Sequence, residues 1–282
     1  MKQSDIYYNY FEDVNPQYED INFNLKDRVD PDEASARLYD ALYKTFFYNY
    51  SKMCEYGMEK VQIIGQKYSK PLFYSFFIYK EKYSEVEDFI LSSDYIGPSI
   101  EQARLIGELE DFEIKNFLRI SRTLGGHIVW PRGDNMKPTI NQVKGGEIIS
   151  NSGYGFYDRI DWTLFLLKIY YYFIEKSEDP RFDKYKEKIH MSFEGINITE
   201  NDNRCFWALF GAFNRAKKWF ENFETFKNFC DFFLLKNNFV DNNYNVLELT
   251  SYFPIKPVNY GEYIKNNIRA ISRRNQRMIM KE

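Results

Sequence analysis

The sequence predicts an α+β fold: a helix-rich single domain over residues 1–282 with a small mixed or antiparallel sheet and a basic C-terminal helix. Three observations carry this expectation. Long stretches repeat apolar residues at three- and four-residue spacing, short aromatic or β-branched runs interrupt them near residues 61–91 and 127–131, and cations recur every fourth position from Lys265 to Lys281. No internal repeat, low-complexity run or Gly/Ser/Pro-rich linker marks a boundary in the sequence, so one domain is the simplest expectation.

The elements follow in chain order. "DPDEASARLYDALYKTFFYNYSK" opens with acids that cap and complement a helix N-terminus, then places Ala36, Tyr39, Leu42, Tyr43 and Phe46 on one helical face. "PLFYSFFIYK" and "VEDFILSS" read as strands, two or three in all across residues 61–91. "SIEQARLIGELEDFEIKNFLRISRTL" reads as helix, broken near Gly107 and ended by a left-handed cap at Gly125 and Gly126. "HIVWP" is then a four-residue strand stopped by Pro131. A loop runs to about residue 156, and Asp158 caps a helix, "DRIDWTLFLLKIYYYFIEK", apolar on nearly every face and therefore buried. Further helices are expected across residues 203–223, 225–237 and 260–280.

Composition narrows the function classes. The net charge of −3 argues against a generic polyanion binder, so any nucleic-acid site must be a local patch. The 24 Tyr and 26 Phe are abundant, but they accompany Asn, Lys and Ile, all encoded by AT-rich codons, so codon bias accounts for them without a stacking surface. Cys54, Cys205 and Cys230 are odd in number and lack a C-x-x-C spacing, which fits a reducing cytoplasm and indicates no disulfide framework or cysteine zinc site. The N-terminus has no apolar signal core, and the longest apolar run, "WTLFLLKIYYYFI", is interrupted by Lys168 and too short to span a bilayer. A cytoplasmic protein with no membrane partner is expected. The signatures of P-loop nucleotidases, zinc proteases, α/β-hydrolases and Rossmann enzymes are absent from the sequence, and neither a cofactor nor a metal is implied.

Candidate chemistry concentrates in the middle of the chain. From Lys115 to Lys144 the cations are Lys115, Arg119, Arg122, Arg132, Lys137 and Lys144, against the single acid Asp134. Arginine forks and loop N–H groups both suit anion oxygens, so this island is where a phosphate-bearing ligand would be held; the alternative is a solvated helix face followed by an acid-poor loop. "RTLGGH" also matches R-x4-H, a ribonuclease spacing of all-helical defence nucleases, in which Arg holds the scissile phosphate and His moves a proton. Two consecutive glycines inside it cost a helix about 2 kcal/mol, which separates Arg122 and His127 onto different elements and leaves a packed strand-edge histidine as the competing reading. "PTINQVKGGE" adds Asn141 and Lys144, and "YDRIDW" adds Asp158, Arg159 and Asp161 at a helix start, where an Asp-x-x-Asp serves either as cap and dipole partner or as a paired carboxylate site. In the C-terminal helix Lys265, Arg269, Arg273, Arg277 and Lys281 drift by about 40° per step, giving a spiralling cationic ribbon opposite Ile264, Ile268, Ile271 and Met278. The ribbon is either the outer face of a docked helix or a rail that tracks phosphates.

Read together, "RTLGGHIVWPRG", "TINQVKGG" and "DRIDWTLFLLKIYYY" resemble, in that order, the core of a bacterial family of unknown function with the pattern R-T-[IL]-G-G-x-[IL]-[IV]-[FW]-P, then T-I-N-Q-A-R-G, then D-R-[FM]-D-[LW]-T-L. "DPDEASARLYDALY", "FILSSDYIG" and "NFCDFFLLKNNFV" are similar to flanking segments of the same family, so the resemblance runs from about residue 30 to 275. It implies that Arg122, Gly125, Gly126, Pro131, Asn141, Gly145, Asp158, Arg159 and Asp161 hold core positions. The chain departs from the pattern at Lys144, where the family has Arg, and at Lys44-Thr45-Phe46-Phe47, where it tends to a Trp-Ser-Lys motif. Lys144 keeps the charge and loses the bidentate fork.

The leading expectation is an enzyme acting on RNA or another phosphate-bearing substrate by ribonuclease-like chemistry, an effector in a bacterial toxin or phage-defence setting. Arg122 and Lys144 would bind phosphate with support from Arg119 and Arg132, and His127 would act as general acid or base. Asn141 and Asp158 would orient the substrate, and Arg159 would pair with Asp161 or a substrate anion. Arg269, Arg273 and Arg277 would track a phosphate backbone, with RNA or a nucleotide as the partner. The alternatives are an ADP-ribosyltransferase and a non-enzymatic protein-interaction module, the latter marked by an extended hydrophobic patch.

Overall fold

Ser35 organises the first helical region. In the computed structural model its Oγ accepts the Leu38 N–H at 3.0 Å while its hydroxyl donates to Asp13 Oδ2 at 2.6 Å. The expected single helix from residue 30 is therefore divided, because Ser35 starts a new helix with an extended backbone (φ −81°, ψ 100°). The described residues are 3–16, 29, 31–47, 59–67, 70–79, 89–97, 111–131, 160–175, 192–193, 196–197, 220–249 and 260–280. They contain helices α1 (Gln3–Ile6), α2 (Tyr10–Val14), α3 (Pro31–Ala34) and α4 (Ala36–Leu42), which runs on into a π-helical turn, Tyr43–Phe47. Strands β1 (Glu59–Lys67), β2 (Lys70–Tyr79) and β3 (Phe89–Tyr95) come next, then α5 (Asp111–Ser121), a 3-10 turn (Leu124–Gly126) and β4 (His127–Pro131). The remainder comprises α6 (Ile160–Glu175), the short strands β5 (Ser192–Phe193) and β6 (Ile196–Asn197), α7 (Phe226–Phe232) and α8 (Tyr260–Met280). The chain is helix-rich, as its periodicity predicts.

β1 to β4 pair antiparallel in sequential order, with Ser93 opposite Val129 and Tyr95 opposite His127 in the β3–β4 register. The backbone divides into two compact units, Met1–Arg132 with Ile264–Glu282, and Gly133–Tyr263. In the first, the core is built from Leu38, Tyr39, Leu42 and Phe46 with Phe117, Leu124, Val129, Trp130 and Ile271, all buried. In the second, α6 buries Trp162, Phe165, Leu167 and Tyr171, and Phe223, Phe229 and Phe233 stack with ring centroids 4.9–5.7 Å apart. Such aromatic density supplies both buried area and edge-to-face contacts. α7 ends at Phe232, short of the expected residue 237, because Leu234 and Asn237 take left-handed backbone conformations and an isolated bridge pairs Lys236 with Val240. The break expected near Gly107 and residues 203–219 of the helix expected across 203–223 lie outside the described residues, while Phe220 and Glu221 are helical and 222–223 form a turn.

Gly125 and Gly126 also differ from expectation. α5 stops at Ser121, and neither glycine is left-handed; the two sit in the 3-10 turn and lead straight into β4. Their requirement is steric. A Cβ on Gly125 would lie 2.5 Å from Asn275 Oδ1 and 2.9 Å from the Ile271 carbonyl, and one on Gly126 would fall on the Ser121 carbonyl.

Candidate functional site

The buried face of α8 explains this turn. Asn267, Ile271, Arg274, Asn275 and Met278 follow helical spacing and are all buried, so the stripe that packs on the core carries three polar residues besides its apolar ones. Arg274 Nη1 donates to the carbonyls of Gly125 (2.8 Å) and His127 (2.7 Å). Asn275 Oδ1 accepts the Gly125 N–H at 2.7 Å, and its Nδ2 donates to Thr123 Oγ1 at 2.7 Å. Four backbone and side-chain groups of the α5–β4 turn are thus satisfied by one helix turn, which meets the demand that buried polar groups be paired. Burial, then the Arg277 charge, push the Arg274 guanidinium below its usual pKa, yet a guanidinium holds its proton throughout the working pH range.

His127 and Arg122 come together around Tyr95. The Arg122 guanidinium lies 3.5 Å from the Tyr95 ring centroid, and the His127 ring stacks obliquely on the same residue at 5.0 Å. Ser93 Oγ is 2.9 Å from His127 Nδ1, and the Ser93 N–H donates to Tyr39 Oη at 2.9 Å. Nε2 makes no hydrogen bond of good geometry, although the Arg122 backbone approaches the ring closely enough to favour protonation. Against that, burial and then the Arg122 charge, with Arg274 a lesser contributor, hold the His127 pKa well below the usual imidazole value. The ring is a neutral, fully enclosed group. Arg122 is enclosed too, its Nη1 donating to Ser121 Oγ at 3.1 Å and its carbonyl accepting the Tyr10 N–H at 3.0 Å. Its charge is met by the π face of Tyr95.

The other expected site residues are dispersed. Arg119 is exposed on α5 and donates to Asn116 Oδ1 at 3.1 Å. Asp161 is buried in the first turn of α6, its Oδ1 accepting the N–H of Trp162 at 2.9 Å. Arg132, Asn141, Lys144, Asp158 and Arg159 lie outside the described residues. Arg269 and Arg273 are exposed and Arg277 is half-buried, so the ribbon begins in solvent and spirals to the edge of the packed face. Lys265, at its start, pairs with Glu113 of α5 at 3.1 Å.

The sequence reading did not single out Ser93, Tyr95, Asn267, Arg274 or Asn275. A signal existed for the last three, because they interrupt the apolar stripe of α8 at core spacing; counting cations at every fourth position passed over Arg274, which stands beside Arg273.

A profile of a family of unknown function (DUF6994) matches residues 5–195 and 181–278, and the chain belongs to that family. No curated protein and no solved structure matches it. Among the described residues, no helix is long and apolar enough to cross a membrane.

Proposed function

We propose that the protein binds RNA or another phosphate-bearing polymer through the outer face of α8. The observation that carries this reading is the exposure of Arg269 and Arg273, with Arg277 at the edge, on a helix whose opposite face is fixed by Arg274 and Asn275. A helix anchored in this way presents its cations without having to order itself on binding, which lowers the entropic cost of association. Binding is favoured over cleavage because His127 and Arg122 are shut away from solvent and spend their contacts on Ser93, Tyr95 and the backbone. The test is Arg269→Gln, Arg273→Gln and Arg277→Gln combined, with RNA affinity measured over a salt series. Each lost phosphate contact lowers the slope of log K against log salt by about 0.7 for a single strand. An unchanged slope and affinity overturn the reading.

A further inference from the structure

Phe112, Lys115, Asn116 and Arg119 stand at i, i+3, i+4 and i+7 of α5, and all four are exposed. Phe112 is 70% exposed, more than any other aromatic side chain among the described residues. Residues at this spacing share one helix face, so a bare aromatic ring lies in line with two cations and a side-chain amide. The Arg119 guanidinium is steadied over the face by its hydrogen bond to Asn116 and keeps further donors for an anion.

Three points link the region of α5 to α8, in the same order along both segments. Glu113 meets Lys265, a Cβ at Gly97 would touch both Phe117 and Asn267, and Asn275 reaches Thr123 just past the end of α5. The Glu113–Lys265 pair ties the first turn of α5 to α8, and Phe112 is flanked in sequence by Asp111 and Glu113. Lys115 and Arg119 on α5 and Arg269 and Arg273 on α8 are all exposed.

From this juxtaposition we infer that the ligand is single-stranded nucleic acid, with one base stacked on Phe112 and the adjoining phosphates held by Lys115 and Arg119. A duplex hides its base faces and could use only the cations, whereas an unpaired strand offers a π face for the ring and phosphates for the charges. This rests on the proposed binding by α8 and adds strand type to it.

Fluorescence anisotropy with a short labelled oligouridylate, with a blunt RNA duplex and with phosphatidylserine vesicles tests the inference. Phe112→Ser should weaken oligouridylate binding by about tenfold, since stacking on one aromatic ring contributes a factor of roughly five to 150. The salt slope should stay unchanged, because no charge is removed, and Phe112→Trp should restore or tighten binding. Phe112 is exposed, so folding is not at stake. Equal oligouridylate affinity in wild type and Phe112→Ser overturns the inference, as does a preference for the duplex, or binding to the vesicles without binding to oligouridylate. If RNA binds and the α8 arginine variants flatten its salt slope while Phe112→Ser is silent, this inference alone fails. If no RNA binds at all, the reading of α8 fails with it.

Discussion

Asn275 Oδ1 accepts the N–H of Gly125 across 150 residues of chain, at 2.7 Å. That contact is possible only because position 125 carries no side chain, so the glycine and the asparagine are one device. The pair can be tested as one. Gly125→Ala inserts a methyl group where a Cβ would lie 2.5 Å from Asn275 Oδ1, and should cost about 1–3 kcal/mol by overpacking. Asn275→Ala removes the acceptor and strands the Gly125 N–H, at a similar cost. Because the two sites touch, the double variant should lose less than the sum of the single losses in urea denaturation. Strict additivity would show that the contact does not hold α8 in solution.

Arg274 serves two carbonyls with one nitrogen. Arg274→Met keeps most of the buried stem and leaves the Gly125 and His127 carbonyls without their donor, so unfolding free energy should fall by about 2–4 kcal/mol. Arg274→Lys should recover only part of this, since an ammonium lacks the planar fork. Full recovery with lysine would mean that charge alone, rather than geometry, secures the helix.

His127 makes acid stability a direct readout of its environment. Its folded pKa lies well below the unfolded value of 6.5, so below pH 6.5 the unfolded chain takes up a proton that the folded chain refuses. Stability is therefore full above pH 6.5 and falls as pH drops from there toward the folded pKa, by up to about 1.4 kcal/mol per unit from this group. Chemical denaturation between pH 7 and pH 5 should show that loss in the wild type and a shallower one in His127→Gln. Identical slopes would place the ring in contact with water.

The helical layout was legible because its causes are local. Ala36, Tyr39, Leu42, Tyr43 and Phe46 repeat at helical spacing after an acidic start, and β4 is an apolar triplet between glycines and Pro131. Ser35 shows the limit, since it reads as one more residue of a longer helix until Asp13, 22 positions earlier, is seen to take its hydroxyl proton. Gly125 was noticed in the sequence for the wrong reason: its conformational freedom is unused, and what matters is an asparagine far along the chain. Arg274 was hidden among cations that face solvent. For His127 the sequence offered a proton carrier or a packed edge residue, and only the positions of Ser93, Tyr95 and Arg122 show how completely the ring is enclosed.

The unit that begins at residue 1 pauses at Arg132 and resumes at Ile264, with 131 residues between. On a ribosome adding about 5–20 residues per second, the emerging first segment waits roughly 7–26 seconds for α8. Throughout that wait the Gly125 and His127 carbonyls lack Arg274 and the Gly125 N–H lacks Asn275. The turn at Gly125 is thus sealed only by residues that follow it by about 150 positions. A stalled or clipped chain ending before Ile264 would present that open seam to chaperones and proteases.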